Sequence, residues 1–236
     1  MRLIVLAALL GLAATPALAG PACAPPAGLR PAPALTPRAE EVVTGVPIAA
    51  YVLALNWTPE WRRSGGTGAT ARQMQGSQDF GFTLHGLWPD GARPPYPRFC
   101  HPGGKLDAAT VRQMYCRTPS PVLLQHEWQA HGTCAHWPDA KAYFAQAARL
   151  FDALKIPRIE RLGGGQLDAG ALRAAFVTAN PALRADEIFV QTNRGGDLTE
   201  VRVCYDLAFH PTACLGGNGA PDRVRLQLAP SRTGAF

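Results

Sequence analysis

The amino-acid sequence predicts a disulfide-containing protein of the α+β class, and three features support this prediction. Helix-like and strand-like segments both occur, but they do not alternate as regular β-α-β units, which disfavours a doubly wound parallel sheet. The chain has 236 residues, which is enough for one sizeable domain with its own core. Its six cysteines are an even number, as expected of a chain that folds where disulfides form.

The first residues are predicted to be a signal peptide rather than part of the domain. Arg2 gives a positive start, residues 3–12 are an apolar run too short to span a bilayer, and Ala17-Leu18-Ala19 fits a small-x-small cleavage site. We therefore interpret residues 1–19 as a secretory signal peptide, with a membrane anchor as the alternative. Export to the periplasm or to the extracellular medium is expected, without membrane association.

Residues 20–39 are rich in proline and alanine and almost free of aromatic and β-branched side chains. Such a composition cannot bury enough apolar surface to fold alone, so we predict a tether, followed by a domain over residues 40–236. The formal net charge of +6 suits a polyanionic partner such as nucleic acid, although ordinary solubility charge is also compatible with it.

Strands are predicted where apolar residues form short runs or alternate with polar ones. The run that ends before Pro59 is expected to be a buried central strand, and the next strand is expected to present His85 at its end. Two later segments flank a turn-forming stretch and predict a hairpin. The predicted strands are residues 51–57, 80–84, 188–192, 200–205 and 224–228, and the predicted loops are the glycine-rich residues 62–76 and the proline-rich residues 89–97.

Four helices are predicted from capping residues and apolar periodicity. Asp107 and Asp168 are expected to cap their helices, Pro121 suits a first helical turn, and Gly132 suits a helix end. The third helix carries a one-sided apolar stripe that is expected to pack in the core rather than to form a binding groove. The predicted helices are residues 107–117, 121–131, 140–155 and 168–178.

Two histidine blocks carry the chemistry, FTLHGLWPD at residues 82–90 and HEWQAHGTC at residues 126–134. Metal-free cleavage of a phosphodiester needs one imidazole that accepts a proton and another that donates one. Glu127 and His131 are four residues apart, so on a helix the carboxylate is expected to orient this imidazole and stabilise its protonated form. His85 comes from a separate segment and is expected to face them across a cleft.

The second block also resembles the start of the zinc-protease motif HExxH, but the position four residues after His126 is Ala130. His126 and His131 are five apart and point about 140° from each other on a regular helix of 3.6 residues per turn. We therefore expect no metal site.

The two blocks resemble the signature segments of the ribonuclease T2 family. FTLHGLWP and HEWxxHGTC occur in the family's order, with each histidine in place, and the resemblance extends from about residue 51 to about residue 206. It implies a secreted, metal-independent endoribonuclease of α+β fold, with a central antiparallel sheet and flanking helices. It also implies RNA as the substrate, 2′,3′-cyclic phosphate products, no cofactor and no cleavage of DNA, which lacks the 2′-hydroxyl. We further expect a monomer.

The resemblance also implies catalytic roles. His131 would be the general base that takes the proton of the ribose 2′-hydroxyl, and His85 the general acid that protonates the leaving 5′-oxygen. Glu127 would lie against the phosphate and the base, and His126 would help to hold the phosphate.

A base-binding site is implied by the same resemblance. Trp88 and Tyr96 would stack on a base and Asp90 would accept its hydrogen bonds, although a tryptophan in such a position can equally belong to the core. Stacking tolerates every base, so broad base specificity is expected.

One departure from the family weakens the implied mechanism. The family usually carries a lysine where this chain has Ala130, and that lysine offers positive charge to the pentacoordinate phosphorane. Its loss predicts reduced turnover, compensation by another cation such as an arginine of a nearby loop, or an inactive RNA-binding homologue.

The six cysteines predict three bridges, although six cysteines allow 15 pairings. Cys204 and Cys214 flank one short loop and are expected to pair. The resemblance implies Cys100–Cys134, which leaves Cys23–Cys116.

Overall fold

A computed structural model describes residues 23–64, 80–159, 162 and 167–230. Its centre is a four-stranded antiparallel sheet in the order β2-β1-β4-β3, with helices packed against it, so the predicted α+β class is confirmed. The strands are β1 (Ala50–Trp57), β2 (Phe82–Asp90), β3 (Ile188–Thr192) and β4 (Leu198–Tyr205). The predicted signal peptide, residues 1–19, lies outside the described residues.

Strand β1 is the central strand, as its apolar run predicts. All eight of its residues are buried, and it pairs with β2 on one side and with β4 on the other. Strands β3 and β4 form the predicted antiparallel hairpin, closed by the turn at residues 193–197.

Four of the five α-helices in the described part of the chain begin at polar caps. The side chains of Asp107, Ser120, Asp139 and Asp168 each accept a hydrogen bond from the backbone N–H three residues later, which satisfies a donor of the first turn. The described residues contain no helix that is both long and apolar enough to cross a bilayer. The helices are α1 (Thr58–Arg63), α2 (Ala108–Met114), α3 (Pro121–Ala130), α4 (Ala140–Ala153) and α5 (Ala169–Ala179).

The apolar stripe of α4 packs into the core, as predicted. Tyr143, Phe144, Ala147 and Leu150 are buried in the same cluster as the side chains of β1, while Phe151 and Leu154 pack against it partly buried. This helix is therefore part of the scaffold that supports the sheet.

Three predictions about individual segments are wrong. Residues 62–76 were expected to be a loop, but α1 continues to Arg63, and residues 65–79 lie outside the described residues. Pro89 and Asp90 were expected in a loop, but they complete β2 through pairing with the start of β1.

The expected strand at residues 224–228 is an extended segment with two isolated bridges, Arg225 to Asp168 and Gln227 to Asp197. Its backbone groups bond to Leu167 and Ala169 at the start of α5 on one side, and to Gly196 and Leu198 at the start of β4 on the other. Each side offers only one bridging residue, so no continuous ladder forms.

Residues 23–38, the part of the N-terminal segment that the structure describes, contain no helix or strand, but they lie against the domain. Cys23 forms a disulfide with Cys116, and the backbone N–H and C=O of Leu35 bond to the side chain of Gln129 on α3. The other two disulfides are Cys100–Cys134 and Cys204–Cys214, so the three pairs are those expected from the sequence and the resemblance.

Arg173 of α5 binds both β3 and the C-terminal segment around residues 218–222 through hydrogen bonds and a salt bridge. This buried arginine donates to the backbone carbonyls of Ile188, Asn218 and Ala220 and forms a salt bridge with Asp222 at 2.5 Å. Its removal takes this donor away from all three carbonyls, although that of Asn218 also accepts from Val190 N–H. An unsatisfied buried polar group costs on the order of 1–3 kcal/mol.

We therefore expect Arg173→Met, which keeps the aliphatic stem, to lower the free energy of unfolding by roughly 3 kcal/mol in denaturant titrations. Arg223→Met, at an exposed arginine near Asp222, is the control and should leave the unfolding midpoint in place. Equal midpoints for the two variants would contradict this role of Arg173.

Candidate active site

The two histidine blocks meet where β2 packs against α3. His85 Nε2 lies 3.4 Å from Glu127 Oε1. The Trp88 ring contacts the rings of both His85 and His131, with centroids 5.0 and 5.4 Å away. The rings of His126 and His131 are 6.0 Å apart. The structure thus brings together the four residues with an implied catalytic role.

His85 lies at a β-bulge inside β2, so the prediction that it ends a strand is wrong. Ala54 of β1 pairs with Gly86 and Leu55 pairs with Leu84, which leaves His85 without a partner in the register. A bulge of this kind bends the strand locally and re-aims the side chain of the extra residue. Here the imidazole reaches both Glu127 and a residue of β4.

Glu127 is directed at β2 rather than at His131. Its Oε2 accepts a hydrogen bond of 2.8 Å from Trp88 Nε1, and its Oε1 faces His85 without a hydrogen-bond partner among the described residues. Gly86 makes this position possible, because a Cβ there would lie 1.9 Å from Glu127 Oε2. The expectation that Glu127 orients His131 is therefore wrong.

The end of α3 explains this difference. The helix stops at Ala130, and His131 has φ −121° and ψ −47°, so its side chain does not follow the regular face of the helix. One ligand atom from each of His126, Glu127 and His131 lies within 4.8 Å of the others, a geometry that could hold a metal ion. The prediction that these two histidines point away from each other is wrong, because His131 does not continue the regular helix.

Glu200 and Arg202 of β4 belong to the site, and sequence reasoning missed both. Glu200 Oε2 lies 2.6 Å from His85 Nδ1, and Glu200 Oε1 accepts from Arg202 Nε at 2.5 Å. The Arg202 guanidinium lies 4.9 Å from the ring centroids of both Trp88 and Phe189. The available signal was a pair of charged residues inside an otherwise apolar strand.

The two central imidazoles have opposite pKa shifts. Burial opposes the charged form of His85, but the charges of Glu127 and Glu200 and the hydrogen bond to Glu200 outweigh it and raise the pKa. Burial lowers the pKa of His131 well below its usual value, helped by the nearby positive charges of His126, His85 and Arg98. His85 therefore favours the protonated state and His131 the neutral state, as an acid and a base require.

The neighbouring groups are shifted mainly by burial. It lowers the pKa of His126 to about 4, with the charges of Arg98 and His85 acting in the same direction. It raises the pKa of Glu127 to about 7, although the charge of His85 and the hydrogen bond from Trp88 oppose this shift. His126 is therefore neutral near neutral pH, and Glu127 titrates there.

The three residues with an implied role in base binding are placed differently from one another. Trp88 lies inside the cluster with its N–H bonded to Glu127, and Asp90 lies two residues further along β2, where burial raises its pKa to about 6 against the charge of Arg202. Tyr96 lies exposed in the loop after β2. Ala130 is fully buried, and its carbonyl accepts from Phe99 N–H.

Comparison with known proteins finds that this chain is similar to ribonucleases. Residues 49–162 match the model of the Ribonuclease T2 family. A probable ribonuclease of Haemophilus influenzae is 31% identical over 182 residues, covering 71% of this chain and 61% of that protein. Extracellular ribonuclease LE of Solanum lycopersicum is 33% identical over 147 residues, covering 54% of this chain and 63% of that protein. The chain thus spans about three fifths of the length of these curated relatives.

Solved structures share the fold. Trichomaglin, described as a novel S-like ribonuclease, aligns with a TM-score of 0.60 and 20% identity over 75% of this chain and 96% of that chain. RNase NT, solved in complex with 5′-AMP, aligns with a TM-score of 0.56 and 20% identity over 76% of this chain and 98% of that chain.

Together the fold and the site define the class: an α+β protein of ribonuclease architecture in which two histidine blocks meet at one cluster. Over residues 49–162 the chain matches the ribonuclease T2 family.

Proposed function

We propose that this protein is an exported endoribonuclease that cleaves single-stranded RNA without a metal ion and leaves 2′,3′-cyclic phosphate ends. The observation that carries the proposal is a pair of imidazoles that both contact the Trp88 ring, one with a raised pKa and one with a lowered pKa. The relatives named ribonuclease and the nucleotide bound to RNase NT support the same substrate class.

In the proposed reaction RNA supplies its own nucleophile. His131 accepts the proton of the ribose 2′-hydroxyl, the 2′-oxygen forms a bond to phosphorus, and the bond from phosphorus to the 5′-oxygen breaks. His85 Nε2 donates a proton to that leaving oxygen, while Glu200 holds Nδ1 and so fixes the orientation of the ring.

The remaining groups of the site position the phosphate. Glu127 Oε1, which has no hydrogen-bond partner among the described residues, is available to bond to the substrate. His126 is neutral near neutral pH and therefore contributes a hydrogen bond rather than a charge.

Trp88, Asp90 and Tyr96 are proposed to contact the base, with broad specificity because stacking tolerates every base.

The two pKa shifts predict a bell-shaped dependence of the rate on pH. His131 must be neutral, so the rate rises as pH increases through its lowered pKa, and His85 must be protonated, so the rate falls above its raised pKa. The maximum should be broad and include the usual imidazole pKa of about 6.5. A rate that does not change with pH would contradict the pair.

The decisive experiment incubates the purified protein with a short RNA in EDTA and tests the products for 2′,3′-cyclic phosphate ends. We expect cleavage of this RNA. We expect no cleavage when the ribose whose 3′-oxygen carries the scissile phosphate is replaced by 2′-deoxyribose. Loss of activity in EDTA and recovery on adding Zn²⁺ would favour a metal hydrolase that uses His126, Glu127 and His131. RNA binding without any cleavage would favour the inactive homologue expected from Ala130.

A further inference from the structure

We infer that Arg98 supplies the positive charge that the phosphorane needs and that Ala130 cannot supply. This inference rests on the proposed function. It assigns a transition-state role to an arginine of the loop after β2.

The backbone fixes Arg98 beside the end of α3. Its N–H and C=O both pair with Val43 at 2.9 Å, and the N–H of the next residue, Phe99, donates to the carbonyl of Ala130 at 2.9 Å. The disulfide between Cys100 and Cys134 closes the same connection. The arginine is thus held close in space to the position where the family carries its lysine.

The Arg98 guanidinium lies against the ring that borders the phosphate-binding histidine. It is 5.5 Å from the centroid of Phe99, whose ring in turn meets His126 edge-on at 5.9 Å. Its charge acts on the other members of the site, because it helps to lower the pKa values of both His126 and His131. The positive charge of Arg98 would attract, and so stabilise, a negatively charged phosphorane bound at these histidines.

The side chain of Arg98 has donor capacity left for a ligand. Its Nε is buried and has no hydrogen-bond partner among the described residues. A buried N–H without an acceptor destabilises a folded protein. A phosphate oxygen of the substrate is a suitable acceptor for this hydrogen bond.

Arg202, the other arginine of the site, is committed to protein partners. Its Nε bonds to Glu200, another guanidinium nitrogen bonds to Gln191 at 2.5 Å, and its plane lies near the rings of Trp88 and Phe189. The adjacent carboxylate of Glu200 offsets its charge. Arg98 is therefore the better candidate for a charge that the transition state uses.

The test compares Arg98→Gln and Arg98→Lys with Arg93→Gln, an exposed arginine of the same loop. With a dinucleotide substrate we expect Arg98→Gln to lower kcat about 10²-fold, Arg98→Lys to retain most of it, and Arg93→Gln to resemble wild type. Arg98→Met keeps the aliphatic stem over Phe99 and replaces the glutamine variant if that variant does not fold.

Two further measurements separate a catalytic charge from a structural one. Binding of a pentacoordinate nucleoside vanadate should weaken in parallel with kcat, while binding of a non-cleavable 2′-deoxy dinucleotide should weaken less. The acidic limb of the pH–rate curve should move to higher pH, because Arg98 no longer lowers the pKa of His131.

The outcomes distinguish this inference from the proposed function. An active wild type whose Arg98→Gln or Arg98→Met variant keeps its kcat and its vanadate affinity would overturn the role of Arg98 alone. A wild type that cleaves no RNA would overturn the proposed function and this role with it.

Discussion

Replacing His131 by alanine is expected to lower the rate of RNA cleavage by about 10²–10⁴-fold, the usual contribution of a positioned general base or acid. The ring of His131 is partly buried against Trp88, and burial together with the positive charges of His85 and Arg98 keeps it neutral and able to accept a proton. His85→Ala should cause a loss of similar size for a different reason, since it removes the proton donor. Steady-state cleavage of a dinucleotide measures both losses.

A change of leaving group assigns the two roles. A substrate whose 5′-linked group is a phenol of low pKa needs no proton on departure, so it should restore most of the rate of His85→Ala and little of the rate of His131→Ala. Restoration of both variants, or of His131→Ala alone, would contradict the assignment of base and acid.

A matched control separates these effects from general damage to the protein. His101→Ala changes an exposed histidine of the loop that also contains Cys100, and it should leave the rate unchanged. Binding of a 2′-deoxy oligonucleotide should persist in both active-site variants, because the remaining groups still hold the phosphate. A variant that loses binding together with cleavage would point to substrate affinity rather than to proton transfer.

Much of the fold could be predicted because its determinants are local. The caps at Asp107 and Asp168 depend on a side chain that reaches a backbone N–H only three residues away. The β3–β4 hairpin depends on a turn between two alternating segments. Residues 224–228 alternate in the same way, yet among the described residues they form only two isolated bridges, so alternation alone misled the prediction.

The sequence named three residues of the cluster, but neither their contacts with one another nor the two members on β4. The two blocks name His85, Glu127 and His131, and the structure brings all three together. The bulge at His85 and the helix end at His131 decide which of them touch, and neither follows from periodicity. Glu200 reaches His85 across 115 positions of sequence, so only the strand order β2-β1-β4 brings it near.

Glu200→Ala is expected to lower kcat at neutral pH by about 10²–10³-fold, because loss of an orienting group misplaces the acid that it holds. The Glu200 carboxylate is buried and lies 2.6 Å from His85 Nδ1, so it directs the opposite nitrogen, Nε2, toward Glu127 and the cleft. Its removal also deprives Arg202 of its partner and leaves an uncompensated guanidinium beside the imidazole.

The pH profile distinguishes this positioning role from loss of stability. Glu200 and Glu127 raise the pKa of His85, whereas burial and the charge of Arg202 lower it. Without Glu200 this pKa must fall, so the basic limb of the pH–rate curve should move to lower pH while the acidic limb, set by His131, stays in place. Glu200→Gln keeps a hydrogen-bond acceptor but no charge, so it should recover part of kcat and still show the moved limb.

Glu187→Gln provides the matched control for this experiment. Glu187 is also a buried carboxylate paired with an arginine, Arg184, but it precedes β3 and belongs to no contact of the histidine cluster. Its substitution should lower thermal stability and leave both limbs of the pH–rate curve unchanged. If Glu200→Ala behaved like Glu187→Gln, with an unmoved basic limb, the carboxylate of Glu200 would be a structural partner of Arg202 and not the group that sets the protonation of His85.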